Sequence, residues 1–243
     1  MATTYYTEEI TAVPFGVLRK GLSVVLPSPV AFVIAAVFRL RGLLGMPLKP
    51  SYAVGELGSE RDVSYDEMPT HAISKWAPIL EELRDLGFTP LKYTMPDIIG
   101  QKEQAAAYFL DNAGSTIATL EWMRMRGAEG IEEKTPFEFN SYARDDPEVM
   151  TGSVTKEDMA LADMLKLDFV DLQVLPNTLR PTEVYQRHLQ RIQGRSFYEM
   201  TPEAALQENK ARARRRFEWV ADQGLLRPLS PAEVARVSEM WLE

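Results

Sequence analysis

The chain has 243 residues, of which 45% are hydrophobic and 26% charged, a balance typical of a folded protein with one or two domains. It contains no cysteine, which excludes disulfides, thiolate metal sites and cysteine nucleophiles. The net charge is −8, but residues 1–58 carry five basic and three acidic side chains, so this end is +2 and the remainder is −10. General nucleic-acid binding needs a basic face, so no nucleic-acid partner is expected.

The first predicted element is an uncharged apolar run of 18 residues, Gly21 to Phe38, with Arg19 and Lys20 before it and Arg39 and Arg41 after it. As one helix it would rise about 27 Å, slightly less than the roughly 30 Å hydrocarbon core of a bilayer. A Pro-Ser-Pro sequence interrupts it, removing amide donors. The sequence therefore favours a shallow re-entrant membrane hairpin over a spanning helix.

The second half of the run is predicted to be a helix with Ser28 as N-cap and Pro29 at its first position. It is apolar around its circumference, whereas an interfacial helix needs one polar face. The side chains expected to contact the membrane are Leu22, Val25, Leu26, Val30, Phe32, Val33, Ile34, Val37 and Phe38. The four flanking basic residues are expected to contact headgroups or an acidic partner on the cytoplasmic side, where Lys and Arg are in excess.

Two other interpretations of the run stay open at this stage. Apolar stretches of this kind also form central helices of a core or a subunit contact. A cleaved signal peptide is the third option, but Glu8 and Glu9 precede the run and no Ala-x-Ala site follows it.

The rest of the chain is predicted to comprise a connecting arm over 47–69, a folded domain over 70–195 and a helical hairpin over 196–243, after the apolar region 1–46. The domain opens with a helix that starts near Ser74, holds Pro78 in or just after its first turn and stops at Gly87. The predicted strands are Phe88 to Met95, Ala105 to Leu110, Thr116 to Arg126, Phe137 to Tyr142, Val149 to Val154 and Phe169 to Leu175.

Turns and helices complete the predicted domain. Turns are expected at 111–114 and 145–147, a short helix over 156–165, and a helix capped by Thr182 that ends at Gly194. The fold class is α+β, a two-layer antiparallel sheet covered by helices, because a sheet with one apolar face must bury it. The C-terminal hairpin is expected to have helices beginning near Pro202 and after Ser230.

The order Leu86-Gly87-Phe88, a hairpin, Phe137-x-Phe139-x-Ser141-Tyr142, then Tyr185 to His188 in a helix resembles a family of uncharacterised bacterial proteins that often carry an N-terminal membrane segment. The resemblance covers roughly residues 74–194. It implies an α+β fold and membrane association, and it assigns no catalytic residue.

Catalytic and metal-binding motifs are missing from the sequence. The two histidines, His71 and His188, are insufficient for a histidine-rich metal site, and no catalytic residue, metal or cofactor is expected. His188 is interpreted as a partly buried imidazole with a backbone or carboxylate partner, although Arg187, His188 and Arg191 form a possible ligand cleft against the sheet.

A basic cluster on the first C-terminal helix is the last candidate site. Lys210, Arg214 and Arg215 are interpreted as a solvated face or as contacts to lipid headgroups or an acidic partner. The main functional hypothesis is a non-enzymatic, membrane-associated accessory protein, bound to membrane lipid or an integral-membrane protein and part of a hetero-complex. The alternatives are a small-ligand or lipid-binding carrier or enzyme, and a structural subunit that buries the apolar run in protein.

Overall fold

The chain folds as two compact units. The structure, a computed structural model, describes residues 3–127, 130–144, 147–155, 159 and 167–240. Unit 1 comprises Met1–Ser59, Asp97–Lys102 and Ala213–Glu243, and unit 2 comprises Glu60–Pro96 and Glu103–Arg212. Unit 1 therefore combines both ends of the chain, which the sequence analysis placed in separate regions.

The described helices and strands are as follows. The helices are α1 (Phe15–Val25), α2 (Ser28–Leu43), α3 (Thr70–Asp85), α4 (Pro181–Ile192), α5 (Pro202–Asp222) and α6 (Pro231–Ser238), with 3₁₀ helices at Ile10–Ala12 and Tyr65–Glu67. The strands are β1 (Tyr5–Glu8), β2 (Tyr52–Gly55), β3 (Arg61–Val63), β4 (Phe88–Met95), β5 (Ile98–Gly100), β6 (Lys102–Asp111), β7 (Ile117–Gly127), β8 (Gly130–Lys134), β9 (Phe137–Ser141), β10 (Glu148–Val154), β11 (Val170–Pro176) and β12 (Leu226–Pro228).

Unit 1 is organised by a four-stranded antiparallel sheet in the order β12-β1-β2-β5. In its centre, Tyr6 pairs with Pro228 on one side and with Val54 on the other. The region 47–69, predicted to be a connecting arm, thus supplies β2 to this sheet and β3 to unit 2. The predicted C-terminal hairpin also differs, because β12 lies between its two helices and pairs with the N-terminal strand.

Ion pairs reinforce the pairing of the two chain ends. Arg227 on β12 donates to Glu9 Oε2 at 3.0 Å and to Glu233 Oε1 at 2.8 Å. Glu233 also closes a capping box with Ser230 at the start of α6, as the sequence predicts for that cap. The hydrogen bond from Arg227, followed by those from Ser230, lowers the pKa of Glu233 to about 2, and the carboxylates of Glu233 and Glu9 raise the pKa of Arg227.

Unit 2 contains a sheet in the order β11-β10-β9-β7-β6-β4-β3, with β8 paired to β7. Its described pairs are antiparallel except β10 with β11, which are parallel and in register from Glu148↔Val170 to Val154↔Pro176. The prediction of α+β is confirmed, but the prediction of a purely antiparallel sheet is wrong at this edge.

One face of this sheet is buried by helices. Trp76 and Leu83 of α3 and Val184 of α4 join Phe88 and Phe139 of the sheet in one apolar cluster. The indole of Trp76 donates its N–H to the Glu121 carbonyl oxygen at 3.3 Å, so this buried polar atom is satisfied. This layer holds the polar groups discussed below.

The predicted and observed bounds of helices and strands agree best where the hydrophobic periodicity ends at a turn. β4 has the predicted bounds. In contrast, α3 begins at Thr70, four residues before the predicted start, so Pro78 lies inside the helix. α4 begins at Pro181 with Arg180 as N-cap, so the predicted cap Thr182 lies inside the helix. The hydroxyl of Thr182 donates to Glu82 at 2.9 Å. The predicted turn at 145–147 and the helix over 156–165 lie almost entirely outside the described residues.

Candidate functional site

The apolar run forms two helices separated by a short break. α1 ends at Val25, and Leu26 and Pro27 adopt extended backbone before α2 starts. Pro27 is the N-cap and Ser28 is the first helical residue, without a side-chain capping bond, so the prediction of Ser28 as N-cap is wrong by one position. The two helices contact each other, with the rings of Phe15 and Phe32 edge to face at 5.3 Å.

One side of α2 is packed against protein through small residues. Ala31 and Ala35 are fully buried. Gly42 lies on the same side, because residues 31, 35 and 42 fall within about 40° of one another on a helix. A Cβ at Gly42 would collide with the backbone carbonyl of Thr11, so only glycine permits this close approach.

The opposite side of α2 is apolar and exposed. Val30, Val33, Val37, Leu40 and Leu44 follow a 3-4-3-4 spacing, which places them within about 80° of the helix circumference and along about 21 Å of its length. We call these five residues the α2 stripe. Its centre is about 160° from the buried small residues, and Val33, Leu40 and Leu44 are 59, 56 and 63% exposed.

The exposed apolar side chains are concentrated in this region. Of the twelve large apolar or aromatic side chains that are exposed in the described ranges, nine lie between Val24 and Met46. Single exposed apolar residues are normal on a protein surface, but a contiguous group marks an interaction site.

The charged residues in the sequence segment that carries the stripe are all basic. From Ile10 to Gly55 the chain has no Asp or Glu, while it has five basic side chains, Arg19, Lys20, Arg39, Arg41 and Lys49. Arg19 and Lys20 are exposed on α1, and Arg39 and Arg41 are half-buried on α2, where Arg41 donates to the Pro47 carbonyl at 3.2 Å. The segment is therefore cationic in a chain of net charge −8, and Glu9, which lines one cavity with Arg39 and Leu43, is paired with Arg227.

The length of α2 limits how it can meet a bilayer. Its 16 residues correspond to about 24 Å, against roughly 30 Å of hydrocarbon. Among the helices in the described part of the chain, none is both long and apolar enough to cross a membrane.

The predicted membrane-contact residues divide into two groups. Val30, Phe32, Val33 and Val37 are exposed, whereas Leu22, Leu26, Ile34 and Phe38 are half-buried, and Val25 ends α1. Five exposed apolar residues of this region were missed: Val24, Leu40, Leu43, Leu44 and Met46. The last four follow the basic residue Arg39, where the uncharged run stops, but the spacing of Leu40 and Leu44 continues the pattern of the three valines.

The possible ligand cleft around His188 is not formed by the predicted side chains. His188 is fully buried, Arg187 is exposed, and the half-buried Arg191 donates to Thr151 Oγ1 and to Asp171 Oδ1, both at 2.7 Å. His188 and Arg191 meet at the Thr151 hydroxyl, but His188 has no accessible surface and Arg187 is exposed, so the three side chains do not line one cleft and this prediction needs correction.

His188 is held by hydroxyl groups and not by the expected backbone or carboxylate partner. Its Nδ1 lies 3.0 Å from Thr151 Oγ1, and its Nε2 lies 2.9 Å from Ser141 Oγ. Arg191 can only donate to Thr151 Oγ1, which leaves the threonine proton for Nδ1 and lets Nε2–H donate to Ser141. Ser141 in turn lies 3.0 Å from Thr116 Oγ1. The neutral imidazole is thus fully satisfied.

Burial makes His188 a poor acid or base near neutral pH. Desolvation, with a smaller contribution from the positive charge of Arg191, lowers the pKa of His188 to about 3. General acid–base catalysis works best with a pKa near the operating pH, so His188 has a structural role. The other histidine, His71, is largely exposed and lies 3.6 Å from Glu133.

The basic cluster of α5 is solvated. Lys210, Arg214 and Arg215 are all exposed. The neighbouring Arg212 donates to Glu208 at 2.8 Å and lies over the ring of Tyr142. Arg212 is thus held by contacts within the protein.

No protein-family model, curated protein or solved structure matches this chain. The α2 stripe with its cationic surroundings is therefore the candidate functional site on physical grounds alone.

Proposed function

We propose that this chain is a monotopic, non-enzymatic membrane-docking protein whose α2 stripe enters the interface of an anionic leaflet. The observation that carries the proposal is the coincidence of a continuous exposed apolar stripe with a sequence segment, residues 10–55, whose charged side chains are all basic. The proposal includes the cytoplasmic leaflet, because anionic lipids are concentrated there.

The apolar contribution is substantial. Full burial of a Val or Leu side chain is worth about 1.5–3 kcal/mol, so five side chains that are each about half exposed contribute roughly 5 kcal/mol. Phe32, Leu43 and Met46 add exposed surface beside the stripe. The full stabilisation is obtained only if the apolar environment covers the whole length of α2.

The charge pattern favours lipid over another protein as that environment. Each basic side chain near an anionic surface contributes about 1 kcal/mol, and the region has five such side chains and no acid. The acidic remainder of the chain is repelled by the same surface. The two effects together orient the protein with α2 towards the bilayer.

The position of the stripe favours docking by the side of α2 over insertion of its tip. A re-entrant hairpin needs its exposed apolar surface near the turn, whereas Leu40 and Leu44 lie at the far end of α2 and are as exposed as Val33. An interfacial helix normally supplies its own polar face. In α2 the opposite face is packed on protein, so the folded protein replaces that polar face.

Flotation of the purified full chain with vesicles tests the proposal. The chain is expected to float with phosphatidylcholine–phosphatidylserine vesicles, and Val33→Asp with Leu40→Asp is expected to weaken partitioning by at least about tenfold. The matched control is Ile131→Asp with Leu172→Asp, which adds the same charge at two exposed apolar positions of unit 2. Equal flotation of the two double variants would reject the proposal, as would self-association through the stripe without vesicle binding.

The accessory role extends the same proposal. A protein that sits on one leaflet through a single helix leaves most of its surface available for an integral-membrane partner. We propose a hetero-complex of this kind as its biological setting. Affinity capture from detergent extracts, compared between the parent chain and the Val33→Asp, Leu40→Asp variant, tests it through partners that depend on the stripe.

A further inference from the structure

Unit 2 contains a separate cleft between α3 and strand β4 of its sheet. It has a volume of about 470 Å³, within the range of about 300–1,000 Å³ typical of small-molecule sites. Its floor is formed by the buried side chains of Leu83, Phe88 and Phe109. It is independent of α2 and of the proposed docking function.

The walls of the cleft are aromatic. Tyr65 and Tyr93 are half-buried with ring centroids 5.5 Å apart, and Tyr93 is edge to face with Phe109 at 6.3 Å. Such an arrangement presents ring faces and edges to a planar guest. Burial raises the pKa of Tyr93, and the nearby phenol of Tyr65 raises it further, so the Tyr93 hydroxyl stays protonated.

The rim carries one positive charge. Arg84 lies in the last turn of α3, is exposed, and has neither an ion pair nor a side-chain hydrogen bond within the described residues. Thr89 and Pro90 form the rest of the rim, beside a register shift in β4. Among the described residues, no acidic side chain lines the cleft, although the chain as a whole is acidic.

We propose that this cleft binds a small planar aromatic carboxylate, whose apolar body packs against the tyrosine rings and whose carboxylate meets Arg84. The aromatic walls of the cleft select the apolar part of the ligand by shape and stacking, and the unpaired guanidinium of Arg84 selects its carboxylate. The location differs from the cleft that the sequence suggested, because the α4 histidine is enclosed in a filled core while this cleft opens beside the last turns of α3.

Equilibrium dialysis of the full chain, without vesicles, tests this proposal with 2-naphthoate and its neutral isostere 2-naphthamide. The parent chain is expected to bind 2-naphthoate more tightly than the amide. Arg84→Gln is expected to weaken 2-naphthoate binding about fivefold and to leave the amide unaffected, because one partly exposed charge pair is lost. The matched control is Arg187→Gln, which removes an exposed arginine from α4 and should change neither affinity.

A second variant locates the ligand. Leu80→Trp fills the cleft from α3 and is expected to abolish binding of both compounds while unit 2 keeps its melting temperature. The proposal is overturned if 2-naphthoate and 2-naphthamide bind equally or fail to bind at millimolar concentration. It is also overturned if the Arg84→Gln variant binds like the parent, a comparison that stays decisive if Leu80→Trp fails to fold.

Discussion

Lowering the pH from 7 to 5 is expected to destabilise unit 2 through one side chain, His188. In an unfolded chain a histidine titrates near pH 6.5, whereas burial lowers the pKa of His188 to about 3 in the folded protein. Above pH 6.5 neither state binds this proton. Between the two pKa values the unfolded state binds more protons, so stability falls as the pH falls.

The size of the effect follows from the two pKa values. At pH 5 protonation stabilises the unfolded chain by about 2 kcal/mol and the folded chain by almost nothing. The pKa values of Asp171 and Glu82 are lowered in the folded state. The stability that these two carboxylates contribute is lost only as the pH falls through and below their ordinary pKa values of 3.8 and 4.5. The window from pH 7 to pH 5 therefore isolates the histidine.

Urea unfolding followed by tryptophan fluorescence at pH 7, 6 and 5 measures this effect, since Trp76 and Trp122 are buried in unit 2. His188→Gln is expected to lower stability by about 1–3 kcal/mol at pH 7 and to remove the slope between pH 7 and pH 5. His71→Gln, at the only other histidine, should keep the slope. A parent chain whose unfolding free energy does not change over this range would refute the reasoning, as would a slope that survives in His188→Gln.

Three further outcomes are expected. Replacement of Arg19 and Lys20 by Gln should weaken binding to phosphatidylserine-containing vesicles by about tenfold or more in a flotation assay and leave the weaker binding to pure phosphatidylcholine unchanged. Glu233→Gln should lower the free energy of unfolding in urea by about 1–2 kcal/mol at pH 7. The difference from the parent chain should shrink as the pH falls from 4.5 towards 2, because Glu233, whose pKa is lowered to about 2, loses its stabilising negative charge over that range. Gly100→Ala should cost about 2 kcal/mol in the same assay, because φ is +90° and a Cβ would meet the Ser51 carbonyl; an unchanged midpoint would contradict it.

Long strands bounded by clear turn residues were predictable from the sequence. β4 follows the turn at Gly87, where φ is +85°, and β6 and β7 flank a turn in which Asp111 accepts the backbone N–H groups of Ser115 and Thr116. These turn signals depend only on neighbouring residues, so they can be recognised directly in the sequence.

Pairings between distant segments were not predictable. β1 and β12 are three or four residues long and pair across more than 200 residues, and β10 and β11 pair in parallel. Strand periodicity shows which residues share a face, but it does not show the partner strand or its direction.

The candidate site was predictable in composition and not in geometry. The sequence identifies an apolar region flanked by basic residues, but it treats α2 as uniformly apolar. The distinction between the buried Ala31 and Ala35 and the exposed α2 stripe depends on which side packs against protein. Small residues at three positions on one side, including Gly42, are the local signal that could have indicated this packing.

A depth measurement tests the central claim most directly. The chain has no cysteine, so single substitutions Val33→Cys, Val37→Cys, Leu40→Cys and Leu44→Cys can each carry a nitroxide without further changes. On phosphatidylserine-containing vesicles, electron paramagnetic resonance with oxygen and a nickel chelate should place all four labels at a similar depth, about 5–10 Å into the boundary of headgroups and acyl chains. A label at Ile131→Cys should remain in water. Four water-exposed labels would contradict membrane docking, and a depth that increases steadily from residue 44 to residue 33 would contradict docking by the side of the helix.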